Sequence, residues 1–291
     1  MLKALILFSI LSFNLLCHGQ RNDTTLKIRN TSIIIGSASA IGFTLLHQVW
    51  YKGYQNSKFH LYNDSKNWLQ MDKLGHVYTA NKLSHLFYNT YSRTGIKPTK
   101  AALIGSSLGL GFQTTIEVMD GFSSGWGFSW SDMAANALGS LSFLSQQLLW
   151  QEEKLILKFS YQPTEFAAVR PEVLGSNFSE RLLKDYNGQT YWLSFSPNLF
   201  FKKVPNWICL SLGYSVDAKL VGDKEHYYDP VANKNYFSNR QYLLSFDIDF
   251  SKLPIKRVWI KKIASQLNYL KIPFPALIIQ NGGTNFRGIY F

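Results

Sequence analysis

The chain has 291 residues, a formal net charge of +12, 46% hydrophobic and 16% charged residues. That is apolar and poorly charged for a globular protein, and long enough for one large or two ordinary domains. The basic balance suits an anionic partner; with no RNP-like motif or basic-region heptad beside it, nucleic acid is not expected and an anionic membrane surface is favoured.

The N-terminus reads as an export signal over residues 1–19. Lys3 precedes the short apolar run "ALILFSILSFNLL", and Cys17–Gly19 forms a small-x-small cleavage site before Gln20. Lipidation at Cys17 is the alternative, against which the bulky Leu16 speaks. Cleavage would leave Cys209 as the remaining cysteine, a buried strand residue with no disulfide to make.

The expected fold class is α+β. A small helical, membrane-associated bundle over 20–150 precedes a β-rich region over 151–291, the break falling at the charged "QEEK" near Trp150. Thr31–Trp50, Ala101–Met119 and Met133–Trp150 are apolar runs of bilayer length. Each carries small residues four apart, at Ala38 and Gly42, Gly105 and Gly109, Ala135 and Gly139. Such spacing lets helix backbones approach in lipid, or equally in a close-packed soluble bundle; embedding is the preferred reading. Lys73–Ser92 is too polar for lipid on all sides and reads as an amphipathic helix. After Trp150, "YWLSFSPNLFF", "NWICLSLGYSV" and "QYLLSFDIDF" read as strands, with "KIPFPALIIQ" and "FRGIYF" as further candidates. Ser251–Lys262 mixes Lys and Arg with Val258, Trp259 and Ile260, which suits acidic lipid headgroups or a solvated edge.

Ionisable residues gather at helix ends. Asp72, Lys73 and His76 open one helix, Glu117 and Asp120 close the next, and Asp132 and Asn136 open the last behind Ser129 and Ser131. Antiparallel packing would bring these ends to one rim. Asp72, His76, Glu117 and Asp132 are then candidate ligands for a divalent metal, or a catalytic set for metal-assisted hydrolysis of a lipid-linked or headgroup substrate. Lys73, Asp120 and Asn136, with Trp126 and Trp130 of the intervening loop, complete the candidate substrate-binding set. A hydrogen-bonded structural lock is the third reading, with Ser129 or Ser131 as N-cap. His47, His60, His85 and His226 have no comparable partners by spacing.

The paired motifs "DKLGHVYTA" and "IEVMDGFSSGWGFSWSDMAANALGS" resemble the YfiM-like family of predicted periplasmic lipoproteins, and are distantly similar to VanZ-like membrane proteins. The resemblance implies a cell-envelope protein whose characteristic polar positions fall on Asp72, Lys73, His76, Glu117, Asp120, Asp132 and Asn136. It carries no established activity. The expectation is a scaffold contacting membrane lipid or an envelope partner, with the hydrolase as alternative.

Overall fold

A computed structural model describes residues 24–51 and 53–291, the side chain of Val49 excepted. The export signal and Cys17 lie outside the described residues. The fold is α+β, a helical region followed by a strand-rich one. The described residues divide into two compact units, 24–65 with 79–153, and 66–78 with 154–291. The strand-rich unit therefore includes the first turns of a helix that the chain continues in the helical unit.

The helical unit contains α1 (Thr24–Leu46), the body of α2 (Met71–Ser92), α3 (Pro98–Gly121) and α4 (Trp130–Trp150). Pro98 starts α3 at the position where a missing N–H costs nothing. Ser129 caps α4 by accepting from the Asp132 N–H. Ile35, Leu83, Phe87, Tyr91 and Ala101 form an apolar core. Gly105 and Gly109 let α3 press against α2: a Cβ at Gly105 would lie 2.6 Å from the Tyr88 backbone nitrogen. The 54–62 segment pairs with the loop before α4 through Asn56–Ser123 and Leu61–Phe128 bridges.

Among the described residues no helix is long and apolar enough to cross a membrane, which corrects the expectation of three spanning runs. The apolar runs are real, but they are interrupted on their packed faces. Gln113 and Glu117 in α3, and Asn136, Ser140 and Gln146 in α4, are buried inside the unit. The small-residue spacing serves close packing around those polar groups.

The strand-rich unit holds an antiparallel six-stranded sheet in the order β1-β2-β3-β6-β7-β8. Its strands are β1 (Leu155–Tyr161), β2 (Gln189–Phe195), β3 (Ile208–Asp217), β6 (Asn239–Ile248), β7 (Phe274–Gln280) and β8 (Gly283–Tyr290). The hairpin β4 (His226–Asp229) and β5 (Lys234–Phe237) is inserted between β3 and β6. Both expected late strands, β7 and β8, are present, joined by a turn whose Asn281 and Gly282 have φ of 50° and 74°. Asn-Gly adopts those left-handed angles most readily. Short helices α5 (Phe166–Val169), α6 (Pro171–Leu174) and α7 (Phe178–Lys184) follow β1, and α8 (Val258–Gln266) follows β6.

The sheet curls strongly. Trp192 of β2 meets Tyr290 of β8 edge-to-face at 5.9 Å, and the Thr190 and Tyr290 hydroxyls are 3.0 Å apart. Gly213 accommodates the Trp192 ring, which a Cβ there would meet at 2.7 Å.

Candidate functional site

In the helical unit, hydrogen bonds replace part of the apolar core. Asn81 of α2 donates to the Ser142 hydroxyl of α4 at 3.1 Å, and Ser84 to Ser140 at 3.3 Å. Gln113 of α3 donates to Asn136 Oδ1 at 3.1 Å. Glu117 accepts from the Ser129 N–H at 3.4 Å, so the end of α3 and the start of α4 do meet. Asp64 accepts from both the Ser129 and Ser131 hydroxyls, at 2.6 and 2.9 Å. Glu117, Asp132 and Asn136 are all buried, and lie on the two helices that this seam joins. Asp120 instead accepts from Tyr51 Oη at 2.6 Å. Burial first, and then the Asp120 and Glu117 charges, push the Tyr51 phenol far up, so it acts as a neutral donor.

A buried ion cluster lies one turn further along α2, where His85 stacks on Phe143 of α4. His85 Nδ1 lies 2.8 Å and Lys82 Nζ 3.6 Å from the Glu153 carboxylate. Burial alone would raise the Glu153 pKa, but Lys82 and His85 together outweigh it and hold the carboxyl down at about 2. His85 thus has a partner that sequence spacing did not reveal. His60 is also engaged, its Nε2 sitting 2.8 Å from the Trp126 carbonyl oxygen.

Trp126 stacks on Trp50 at 5.4 Å, whereas Trp130 is exposed. The glycine-rich loop therefore packs against 54–62 and leaves a single indole outward.

Asp72, Lys73 and His76 fall in the strand-rich unit. Asp72 accepts from Lys73 Nζ at 3.0 Å through Oδ2 and from Tyr186 Oη at 3.0 Å through Oδ1, and His76 Nε2 is 3.8 Å from that same Oδ1. Tyr191 packs its hydroxyl over Gly75, where a Cβ would lie 3.0 Å away. Burial, then the Asp72 charge, raise the Tyr191 pKa well above its ordinary value. Immediately before this turn, Trp68, Leu69 and Gln70 have φ of 52°, 51° and 66°. Three consecutive left-handed residues with side chains are strained by roughly 1 kcal/mol or more each. The Leu69 carbonyl is held by Tyr214 Oη at 2.6 Å and Arg240 Nη1 at 3.1 Å, and Trp68 N–H by the Gly222 carbonyl at 2.7 Å. Asp72 and His76 supply one oxygen and one imidazole nitrogen of the kind a divalent metal takes.

The sheet carries apolar residues on both faces, one enclosed and one outward, and sequence reasoning missed this. On the enclosed face, one cross-strand row runs Ile156, Ser194, Ser211, Ser245, Ala276; the next runs Lys158, Trp192, Gly213, Leu243, Ile278. There Lys158 and Asp247 form a fully buried pair at 2.8 Å, and Ser194 and Ser211 donate to the same carboxylate. Burial, with the Lys158 charge, pulls the nearby Lys271 down to about 8, against the opposing pull of Asp247.

The opposite face is apolar. Its central row is Leu157, Leu193, Leu212, Leu244, Leu277, Phe286, one residue from every strand of the sheet. A row of Phe159, Tyr191, Tyr214, Tyr242 and Ile279 lies on one side, and Leu155, Phe195, Leu210 and Phe246 on the other. The β1–β2 part of the aromatic row is covered by Tyr78. Tyr214 packs against Leu69 and Met71, and beyond these contacts the face is open: Leu212 is 50%, Tyr242 52%, Phe246 58% and Phe286 66% exposed.

Residues 60–146 match the model of a family described as "Predicted periplasmic lipoprotein (DUF2279)". The matched stretch contains every position singled out from the two motifs. It supports export to the periplasm and an envelope protein; the description names a compartment and no reaction. No curated protein and no solved structure matches the chain.

Proposed function

We propose that this chain is a periplasmic envelope protein that rests on a membrane, with the apolar sheet face of its strand-rich unit as the lipid-contacting surface. The observation that carries this reading is the second apolar face of the sheet, which is turned outward. An antiparallel sheet with one wet face ordinarily turns its apolar residues to the core and its polar ones to water. Here the enclosed face holds serines and an ion pair beside Trp192, Leu243 and Ile278, while leucines and aromatics also face outward. An exposed apolar surface of this extent marks an interaction site.

The same preference recurs inside the helical unit, where Gln113, Glu117 and Asn136 are buried while Leu138, Leu141 and Leu149 of α4 are exposed. The band on the sheet is three rows tall, about 13 Å at the strand rise, roughly half of the apolar band of a barrel that crosses an outer membrane. That height suits a surface lying in one leaflet rather than a wall through the bilayer. Taking a half-exposed leucine or phenylalanine fully out of water is worth on the order of 1 kcal/mol. Several such residues together offset the freedom lost on binding.

Co-sedimentation of the full chain with phosphatidylcholine vesicles tests this. Wild type is expected to pellet with the vesicles, and Leu244→Glu/Leu277→Glu to remain in solution with unchanged circular dichroism. Wild type left in the supernatant, or a variant that pellets as well as wild type, overturns the reading.

A further inference from the structure

One end of the sheet carries two exposed segments with a chemistry of their own. Ile208 pairs with Ile248, and Leu155 with Phe195, so the β2–β3 connection and the segment after β6 leave from the same end. The first segment, 196–207, presents Phe200, 74% exposed, and Phe201, followed by exposed Lys202 and Lys203. The second, 250–271, contains α8, where Trp259, 60% exposed, Ile263 and Leu267 recur every fourth residue as an outward apolar stripe. Ala264 faces inward, and Lys256, Arg257, Lys261 and Lys262 are exposed beside the stripe. Neither segment contains an acidic residue.

We infer that this end of the sheet is an anionic-headgroup reader: a two-part rim in which Phe200, Phe201 and Trp259 enter the interface of a bilayer while the adjacent lysines and Arg257 engage lipid phosphates. The inference rests on the membrane-contact reading and adds the lipid class. Amphipathic aromatics beside lysines settle at the headgroup level, where the ring finds hydrocarbon and the cation finds phosphate. The charge is complementary to an acidic lipid surface. The rim adjoins the Leu155–Phe195–Leu210–Phe246 row, so apolar face and basic edge form one continuous contact. A short amphipathic helix with basic flanks lies in the plane of the interface rather than across it.

The test compares full-chain partitioning onto vesicles of phosphatidylcholine alone and of phosphatidylcholine mixed equally with phosphatidylglycerol. Wild type should bind both, and the mixed vesicles roughly several hundredfold more tightly at low salt, four lysines acting together. Each surface lysine near an anionic membrane contributes about fivefold. Lys261→Ala/Lys262→Ala, and separately Lys202→Ala/Lys203→Ala, should therefore lose roughly 25-fold on mixed vesicles. Binding to phosphatidylcholine alone should be unchanged for both variants, and high salt should erase the advantage of mixed vesicles in wild type. Equal wild-type binding to the two vesicle types overturns the headgroup inference and leaves the apolar contact standing. A loss by the lysine variants that is the same on both vesicle types also overturns it. Binding to neither overturns both.

Discussion

Replacing Glu153 by Gln tests whether the helical unit is held by its buried ion cluster. The Glu153 carboxyl, usually near 4.5, is held at about 2 by Lys82 and His85 against the opposing effect of burial. That gap of about 2.5 units is worth on the order of 3 kcal/mol. The sign follows from the depression: the contribution is fully present above about pH 4.5 and is lost as pH falls through about 2. At neutral pH, Glu153→Gln should cost about 3–5 kcal/mol, because it removes the negative charge opposing the buried Lys82 ammonium. Urea unfolding followed by the helical circular dichroism signal measures this. The difference between wild type and variant should shrink by roughly half near pH 3, since there the unfolded wild-type chain has taken up a proton that the folded state, with its carboxyl near 2, has not. A difference that stays constant from pH 7 to pH 3 would refute the assignment of that stability to Glu153. A second variant, Lys82→Met/Glu153→Gln, should recover part of the loss, as replacing both members of a buried pair costs far less than breaking it.

Three further outcomes follow from the packing. Gly109→Ala drives a Cβ into Ser84, whose backbone nitrogen would lie 2.8 Å away, and should lower stability by about 1–3 kcal/mol in thermal melts. Asp247→Leu should destabilise the strand-rich unit by about 3–5 kcal/mol, and Lys158→Met/Asp247→Leu much less, measured by the same melts. Burial and the Asp249 charge push the Cys209 thiol up to about 12, so alkylation mapped by mass spectrometry at pH 8 should be negligible at Cys209 until urea unfolds the chain.

Much of the secondary structure was legible in the sequence because period survives without context. The Gly105–Gly109 contact and the strands through "FRGIYF" follow from local spacing, whereas α2, expected to be amphipathic, is buried on every side from Tyr78 to Ser84. The Ser129 cap was visible from spacing too. What spacing cannot give is sign. Alternation in "QYLLSFDIDF" shows that Leu244 and Ser245 face opposite ways, but not that the serine goes inside. That choice is made by Lys158, which meets Asp247 across a separation no window spans. His85 and Glu153 escaped for the same reason. The apolar runs of α3 and α4 misled differently: Gln113 and Asn136 are few enough to leave a run of bilayer length, yet they mark its packed face. The three left-handed residues before Asp72 carried no signal at all, since Trp, Leu and Gln have no preference for that backbone.

The central claim is that the outward sheet face meets lipid, and residue-by-residue accessibility along β6 tests it most directly. Nitroxide labels placed singly at positions 242 to 247 in vesicle-bound protein report collisions with oxygen, which concentrates in lipid, and with a water-soluble paramagnetic complex. The account predicts a two-residue period: high oxygen accessibility at 242, 244 and 246, and protection from both reagents at 243, 245 and 247. Uniform accessibility along the strand, or preferential collision of the water-soluble reagent at 244 and 246, would contradict it.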